Sequence, residues 1–226
     1  KWHSKTESIC RWAWKVSVGN SYLANYAKQF NDNVVINPTT IDTEHHHRIN
    51  KKTKPTNDPI VIGWTGSHST LPYLDILWPV LEELAKEQMF SFRVISNQPP
   101  IVTYPWLVFI PWNKETEIDD LAAIDVGVMP LADDEWSKGK CGFKALQYMA
   151  LEIPTLASPV GVNIDIIDNG VTGFLATSDE EWLVALKTLI ENPGLSQELG
   201  TQGRKTVEAR YSVKANTKNF LGLFSK

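Results

Sequence analysis

Short apolar runs alternate with longer amphipathic segments along most of the chain. Apolar runs of about four to eight residues are typical of buried strands, and apolar residues every third or fourth position are typical of helices. This alternation predicts βαβ units, and therefore an α/β fold with a parallel sheet flanked by helices. The predicted strands are IVIGW, FSFRVIS, WLVFI, IDVGVMPL, IPTLAS and GFLAT. The predicted helices are TLPYLDILWPVLEELAKEQ, NKETEIDDLAA, GFKALQYMALE, SDEEWLVALKTLIEN, SQELGTQGRKTVEARY and SVKANTKNFLGLF.

Two of the predicted helices carry signals for where they begin or break. Pro72 suits the first turn of the first helix, whereas Pro79 should kink or break its middle. The helix SDEEWLVALKTLIEN opens with a capping box, formed by Ser178 and Glu181. One face of the first helix carries a leucine stripe, made of Leu71, Leu74, Leu77, Leu81 and Leu84.

The first 59 residues follow a different pattern. Residues 1–38 predict two short strands, in WAWKVSVGN and NVVINP, with the helix SYLANYAKQF between them. Such a unit buries too little to be stable alone, so it must pack against the rest of the chain, a second copy or missing sequence. Residues 39–59 are polar and end in prolines, which indicates a linker.

The predicted linker contains three consecutive histidines, His45, His46 and His47. Consecutive side chains on a regular element cannot all face one metal ion. An exposed linker is therefore favoured over a metal site.

Composition and charge exclude several classes of protein. A net charge of −4 gives no basic surface for a nucleic-acid polymer, although a nucleotide needs only local positive charge. Cys10 and Cys141 define neither a disulfide framework nor a zinc spacing, which favours a reducing, cytoplasmic setting. No apolar run is long enough to span a bilayer. The chain begins with neither Met nor a signal peptide, which predicts a piece of a longer protein.

A loop rich in glycine, serine and threonine follows the first buried strand of the sheet. Ligands of open α/β sheets bind at the carboxyl ends of the strands, which is where this loop lies. Gly66 lets the backbone approach a ligand, and the hydroxyls and the next helix N-terminus suit a phosphate or a carboxylate. A capped turn without a ligand explains the loop equally well. His68 is either a proton donor to a phosphate oxygen or a surface histidine. The hydroxyls belong to Ser67, Ser69 and Thr70.

A second candidate site lies in the segment DDEWSKGKCGFKALQYMALE. Lys138, Lys140 and Lys144 cluster at the predicted start of a helix, where cations oppose the helix dipole unless an anion compensates them. A diphosphate explains this cluster better than a solvated surface does. Gln147 lies one turn after Lys144 on the same face, and its amide suits a sugar hydroxyl. Tyr148 is expected in the core, as is the next residue, Met149.

A third loop follows the strand IPTLAS. Gly161 and the N–H groups of Val162 and Asn163 are candidates to line the same crevice. Turn formation alone also explains the glycines of this region.

Taken in order, five stretches resemble the nucleotide-sugar-binding half of a GT-B glycosyltransferase of the large retaining group called family 4. The resemblance covers about Val34 to Phe224 and implies a Rossmann-like domain. It also implies transfer of a sugar from a nucleotide diphosphate to an acceptor hydroxyl with retained configuration. The implied division is 1–38, remnant of an acceptor domain; 39–59, linker; 60–211, nucleotide-sugar domain; 212–226, C-terminal helix. The stretches are VIGWTGSHST, VFIPWNKETEIDDLAAIDVGVMPL, GKCGFKALQYMALEIPTLASPVG, IDIIDNGVTGFLA and the terminal helices.

The resemblance also implies roles for individual residues. Lys138, Lys140 or Lys144 would neutralise phosphate charge as the leaving group departs, and Gln147 would hold the ribose. No metal is implied for the donor, which would be UDP- or GDP-linked, and the acceptor would be a sugar or a lipid-linked sugar. Peripheral attachment to the inner face of the membrane would use the missing amino-terminal domain. The piece alone is expected to have little transferase activity. Beside the diphosphate would lie Gly66, Ser67 and His68, and beside the base Ile110, Pro111 and Trp112.

Two residues depart from the family pattern and keep an alternative open. The family usually has glutamates where this chain has Gly139 and Gln147, with Asp133, Asp134 or Glu135 as possible substitutes for the first. The departures favour a noncatalytic nucleotide- or sugar-binding module kept for assembly. A nicotinamide-dependent oxidoreductase is a weaker alternative, because no GxGxxG with a following acidic residue occurs.

Overall fold

A six-stranded parallel sheet forms the centre of the computed structural model, which describes residues 3–49 and 58–225. Its strand order is β5-β4-β3-β6-β7-β8, and a separate parallel pair joins β1 to β2. The α/β fold with a parallel sheet flanked by helices is therefore confirmed. The strands of the described residues are β1 (Val16–Val18), β2 (Val34–Ile36), β3 (Ile60–Gly66), β4 (Phe90–Ser96), β5 (Leu107–Pro111), β6 (Val126–Met129), β7 (Thr155–Ala157) and β8 (Phe174–Leu175).

Helices cover both faces of the sheet. A 3₁₀ segment (His68–Ile76) follows β3, and a π-helical turn (Val207–Tyr211) follows α9. Among the described residues, no helix has the length and apolar content needed to cross a bilayer. The α-helices of this part are α1 (His3–Trp12), α2 (Ser21–Ala27), α3 (Trp78–Leu84), α4 (Glu117–Ala122), α5 (Glu135–Lys138), α6 (Phe143–Ala150), α7 (Asn163–Ile166), α8 (Asp179–Glu191), α9 (Pro193–Thr206) and α10 (Val213–Gly222).

The leucine stripe forms the core between β3, β4 and the helices that cover them. Leu74, Leu77, Leu81 and Leu84 are fully buried there with Trp182 of α8. The predicted break is confirmed, because the helix is divided at Leu77 and Pro79 lies in the first turn of α3. The predicted α-helix before the break is wrong, since His68–Ile76 is a 3₁₀ segment.

The capping box at the start of α8 is confirmed. The Ser178 hydroxyl accepts from the Glu181 N–H at 3.2 Å, and Glu181 accepts in return from the N–H groups of Thr177 and Ser178. This cap fixes the start of α8, which packs against α3 in one apolar cluster, whereas α6 packs in the other clusters of the core.

The position of α6 is fixed by a buried tyrosine. The Tyr148 ring packs so closely on Gly127 of β6 that a side chain at position 127 would overlap it. The Tyr148 hydroxyl accepts a hydrogen bond from the Thr65 N–H at 2.9 Å. Tyr148 and Met149 are fully buried, as predicted. The first turn of α6 is thereby held beside the carboxyl end of β3.

The amino-terminal segment packs against the rest of the chain, one of the three arrangements that the sequence left open. The Lys15 ammonium donates to Gly222 O at 2.9 Å, and the Asn20 amide donates to Lys140 O at 3.0 Å. The two predicted strands and the helix between them are present as β1, α2 and β2, whereas α1 was not predicted. The predicted domain boundaries remain a prediction.

The predicted linker is only partly exposed. Ile41, Thr43 and His47 are buried, and the Arg204 guanidinium donates to the carbonyl oxygens of Thr43 and His47 at 3.0 and 2.7 Å. The prediction of an exposed histidine run is therefore wrong for His47, which is 4% exposed. The part of the predicted linker between 50 and 57 lies outside the described residues.

Candidate functional site

A cleft of about 270 Å³ opens at the carboxyl ends of the central strands. Loops after β3, β4 and β5 form one wall, and the first two turns of α6 form the other. This is the edge at which open α/β sheets bind their ligands. The lining residues are Thr65, Gly66, Ser67, Asn97, Trp112, Glu117, Phe143, Lys144 and Gln147.

Lys144 supplies a positive charge inside this cleft. Its ammonium lies 4.9 Å from the centroid of the Trp64 ring, and the residue is half-buried. Burial, with a smaller contribution from the Lys140 charge, lowers the pKa of Lys144 to about 8. An anion in the cleft would relieve both effects, because an opposite charge favours the protonated amine.

The start of α6 adds backbone donors to the same wall. Gly142 precedes the helix with φ +70°, a left-handed conformation, and makes no side-chain cap hydrogen bond. The first N–H groups of α6 are therefore left without a side-chain cap at the positive end of the helix dipole. A helix start of this kind suits a phosphate group.

The three predicted lysines have different surroundings. Lys140 lies between two rings, 5.1 Å from the Tyr73 centroid and 5.5 Å from that of Trp136, and is close enough to Lys144 to repel it. Lys138 instead pairs with Asp133 at 2.8 Å and does not line the cleft. Only two of the three lysines thus contribute charge near the cleft.

Gln147 lies deeper in the cleft, one turn after Lys144. It is 2% exposed, and its amide nitrogen is 3.2 Å from Glu117 Oε1 and 3.5 Å from His47 Nε2. Burial, with the neighbouring His46 as a smaller cause, lowers the pKa of His47 to about 4, so its ring is neutral at physiological pH. His47 Nδ1 is buried without a hydrogen-bond partner among the described residues.

The residues of the loop after β3 line two neighbouring depressions, the cleft and a groove beside it. Gly66 and Ser67 line the cleft, but His68 lines the groove beside it with Leu71 and Trp78. Asn97 holds His68, accepting from its backbone N–H at 2.7 Å and lying 3.1 Å from ring atom Nδ1. The N–H of His68 is therefore already bonded rather than free for an anion.

The remaining predicted site residues are only partly brought to the cleft. Trp112 lines it, whereas Ile110 packs against the apolar cluster beneath β3 and Pro111 lies exposed between them. Val162 lines a different cleft, near Cys141, and Gly161 packs on the backbone of Ser137 and Lys138. The described residues contain no group of three His, Cys, Asp or Glu side chains able to hold a metal.

The sequence interpretation missed several site residues, among them Asn97, Glu117 and His47. Asn97 directly follows β4, so its position after a buried strand was an available signal. Glu117 opens a short helix and looked like an ordinary first-turn acid. His47 has no local signal, because its burial depends on Arg204, far away along the chain.

The chain belongs to the family described as glycosyl transferases group 1. The family model matches residues 60–192. The capsular polysaccharide biosynthesis glycosyltransferase CapM of Staphylococcus aureus is 33% identical over 73 residues, which are 31% of this chain and 19% of CapM. The α-1,3/1,6-mannosyltransferase ALG2 of Homo sapiens is 30% identical over 86 residues, which are 38% of this chain and 21% of ALG2. The chain thus spans about a fifth of each of these curated relatives in the matched region.

The fold also matches solved glycosyltransferase structures. Anabaena HepE, crystallised in complex with UDP and glucose, superposes with a TM-score of 0.79 over 99% of this chain and 66% of the HepE chain. The two sequences are 15% identical, so this likeness concerns the fold alone.

Proposed function

We propose that this chain is the donor-binding part of a retaining, family 4 glycosyltransferase, corresponding to the carboxyl-terminal half of a GT-B enzyme. It would bind a nucleotide diphosphate sugar, and the sugar would pass to an acceptor hydroxyl with retained configuration. The observation that carries the proposal is the cleft in which Lys144, the uncapped start of α6 and Gln147 face the loop of Gly66 and Ser67.

The cations of the cleft match the charge that develops during sugar transfer. The bond between the anomeric carbon and the diphosphate breaks, and the departing diphosphate gains negative charge that Lys144 and the first N–H groups of α6 can stabilise. Lys140, held between Tyr73 and Trp136, adds positive charge close to Lys144. The acceptor oxygen forms the new bond and its proton leaves to solvent or a base. The protein's part is therefore positioning and charge stabilisation.

The neighbouring groups fit the rest of such a donor. Trp112 is half-exposed in the cleft and offers a flat surface to a base, while Gln147 lines the same cleft one helical turn after Lys144. The crystallised HepE complex contains UDP, which supports a uridine nucleotide, while the name of ALG2 supports a mannosyl donor. A UDP- or GDP-linked hexose is therefore the proposed donor, and a sugar or lipid-linked sugar the proposed acceptor. The proposal includes a cytoplasmic location, with peripheral contact at the inner face of the membrane through the rest of the protein.

A noncatalytic nucleotide-binding module is the second candidate. Gly139 offers no carboxylate where the family usually has one. Of the proposed substitutes, Asp133 is paired with Lys138 and Asp134 accepts from the Ser137 N–H at 2.6 Å. Two of the three candidate replacements are thus engaged locally, which favours binding without transfer.

Calorimetry with UDP, GDP and their hexose-linked forms tests the donor site. One nucleotide should bind, and Lys144→Met should weaken it at least about tenfold, as expected for loss of a charge-assisted hydrogen bond. Lys218→Met is the matched control, because Lys218 is exposed on α10 outside the cleft and should leave affinity unchanged.

Three outcomes separate the alternatives. If neither nucleotide binds, the donor-site proposal is wrong. If Lys144→Met binds as tightly as the unaltered chain, the phosphates lie elsewhere. If a nucleotide binds but the complete protein containing this chain neither transfers nor hydrolyses the sugar, the noncatalytic module is correct.

A further inference from the structure

We propose that Asn20 is a positioning residue of the donor site, although it lies outside the cleft. Its side chain holds the lysine loop, residues 139–142, which joins α5 to α6, and so sets the places of Lys140 and of the first turn of α6. The inference rests on the proposed function and deepens it, since it gives the amino-terminal segment a part in holding the diphosphate.

The Asn20 side chain joins the start of α2 to the backbone of the lysine loop. Its oxygen accepts from the Leu23 N–H at 2.8 Å and caps α2. Its amide nitrogen donates to the carbonyl oxygens of Lys138 at 3.2 Å and Lys140 at 3.0 Å. The oxygen and the nitrogen cannot exchange places, because the Leu23 N–H needs an acceptor and the two carbonyl groups need a donor. Asn20 is 2% exposed, so water competes little for these bonds.

The lysine loop and the end of α5 are also packed closely against two glycines. An added side chain at Gly19 would lie 2.3 Å from Cys141 Sγ, and one at Gly161 would lie 3.1 Å from Lys138 Cα. Gly19 belongs to the amino-terminal segment, whereas Gly161 belongs to the turn after β7. The amino-terminal segment therefore touches the loop through packing as well as through the Asn20 amide.

The lysine loop carries the groups that are assigned to the diphosphate. It contains Lys140 and ends at Gly142, directly before the uncapped start of α6. The later part of α6 is fixed separately, because the Tyr148 hydroxyl accepts from the Thr65 N–H. Loss of the Asn20 amide should therefore displace Lys140 and the first turn of α6 and leave Gln147 in place.

Asn31 provides a matched control in the same amino-terminal segment. Its amide nitrogen also donates to two carbonyl oxygens, those of Cys10 at 2.8 Å and Ala13 at 2.6 Å. Its oxygen likewise accepts from a backbone N–H, that of Asn33 at 2.7 Å. None of these groups belongs to the lysine loop or lines the cleft. The control therefore loses similar bonds without touching the loop.

Calorimetry with UDP and GDP on the unaltered chain, Asn20→Ser and Asn31→Ser tests the inference. Serine keeps a cap on α2 and adds no charge, but it is too short to reach both carbonyl groups of the loop. For the nucleotide that the unaltered chain binds, Asn20→Ser should weaken affinity about fivefold, because two buried carbonyl groups lose their donor. Asn31→Ser should change affinity by less than about twofold, although both substitutions should lower the free energy of unfolding.

A double-mutant cycle with Lys140→Met separates positioning from a general loss of stability. If Asn20 acts through the lysine loop, its substitution should cost less affinity once the Lys140 charge is already absent. The double variant should then bind at least about twofold more tightly than the product of the two single losses requires. The losses from Asn31→Ser and Lys140→Met should simply multiply.

Each contrary result overturns the inference in a recognisable way. Unchanged affinity in Asn20→Ser, or losses that multiply with Lys140→Met, would show that the amide does not position the loop, while nucleotide binding remains. An equal loss in Asn31→Ser would assign the effect to the stability of the amino-terminal segment. Failure of both nucleotides to bind the unaltered chain would remove the donor site itself and this inference with it, which is a different result.

Discussion

Two opposing influences act on the pKa of Lys144: burial beside Lys140 lowers it, and a bound anion would raise it. In the free protein, burial and Lys140 hold the pKa of Lys144 at about 8, below the ordinary value of 10.5. The unfolded chain therefore binds more protons between about pH 8 and 10.5, and the contribution of Lys144 to the free energy of unfolding rises with pH across that window. A bound diphosphate acts in the opposite direction, because its charge favours the protonated ammonium.

We expect nucleoside diphosphate affinity to fall as pH rises from about 7.5 to about 9.5, because deprotonation of Lys144 removes the charge that the phosphates bind. Over this range the diphosphate itself is already ionised, since its last pKa lies near 6 to 7. Calorimetry across the range measures the effect. Lys144→Met should abolish most of the pH dependence and Lys218→Met should preserve it. An equal dependence in Lys144→Met would assign the titration to another group.

At the scale of elements, the start of α6 is the feature on which the phosphate end depends. Gly142 takes φ +70°, and an added side chain there would overlap Ile166 Cδ1 and crowd Val162. Gly170 also has a positive φ, +81°, but an added side chain meets nothing within 4 Å. An alanine at Gly170 would therefore suffer backbone strain alone, whereas an alanine at Gly142 would suffer both backbone strain and steric overlap.

Gly142→Ala should lower the free energy of unfolding by about 2–3 kcal/mol, from left-handed strain plus displacement of Ile166. Gly170→Ala should cost only about 1 kcal/mol, because strain acts alone. Urea unfolding measures both losses. Gly142→Ala should also weaken nucleotide binding, since the N–H groups of α6 would shift, whereas Gly170→Ala should not. Equal losses in the two variants would contradict the proposed close packing.

The elements also show which structural features the sequence could predict. The capping box of α8 and the break at Pro79 depend on residues a few positions apart, so their patterns predicted them correctly. The 3₁₀ form of His68–Ile76 was missed, because its leucine spacing also suits an α-helix. The gathering of Lys144 and Gln147 opposite Gly66 could be expected from the edge rule for parallel sheets, but Glu117 could not, since only tertiary packing turns it into the cleft.

At the scale of the whole molecule, Arg204 connects three distant parts of the chain. Its guanidinium donates to carbonyl oxygens of Thr43, His47 and Ala150, and to the Glu208 carboxylate at 2.6 Å. Arg204 is 8% exposed, so these bonds are shielded from water. The segment that carries His47 is thereby held against α6, with His47 beside Gln147.

Arg204→Met should lower the free energy of unfolding by roughly 3 kcal/mol or more, because it leaves buried carbonyl groups without donors. Arg204→Lys should recover little of this, since an ammonium cannot present the planar set of donors. Both variants should weaken nucleotide binding and speed amide exchange in residues 43–49, because the support of His47 and Gln147 is lost. Arg210→Lys, an exposed change nearby, should alter stability by no more than about 0.5 kcal/mol. Loss of stability with unchanged exchange in residues 43–49 would show that Arg204 supports α9 rather than the segment beside the cleft.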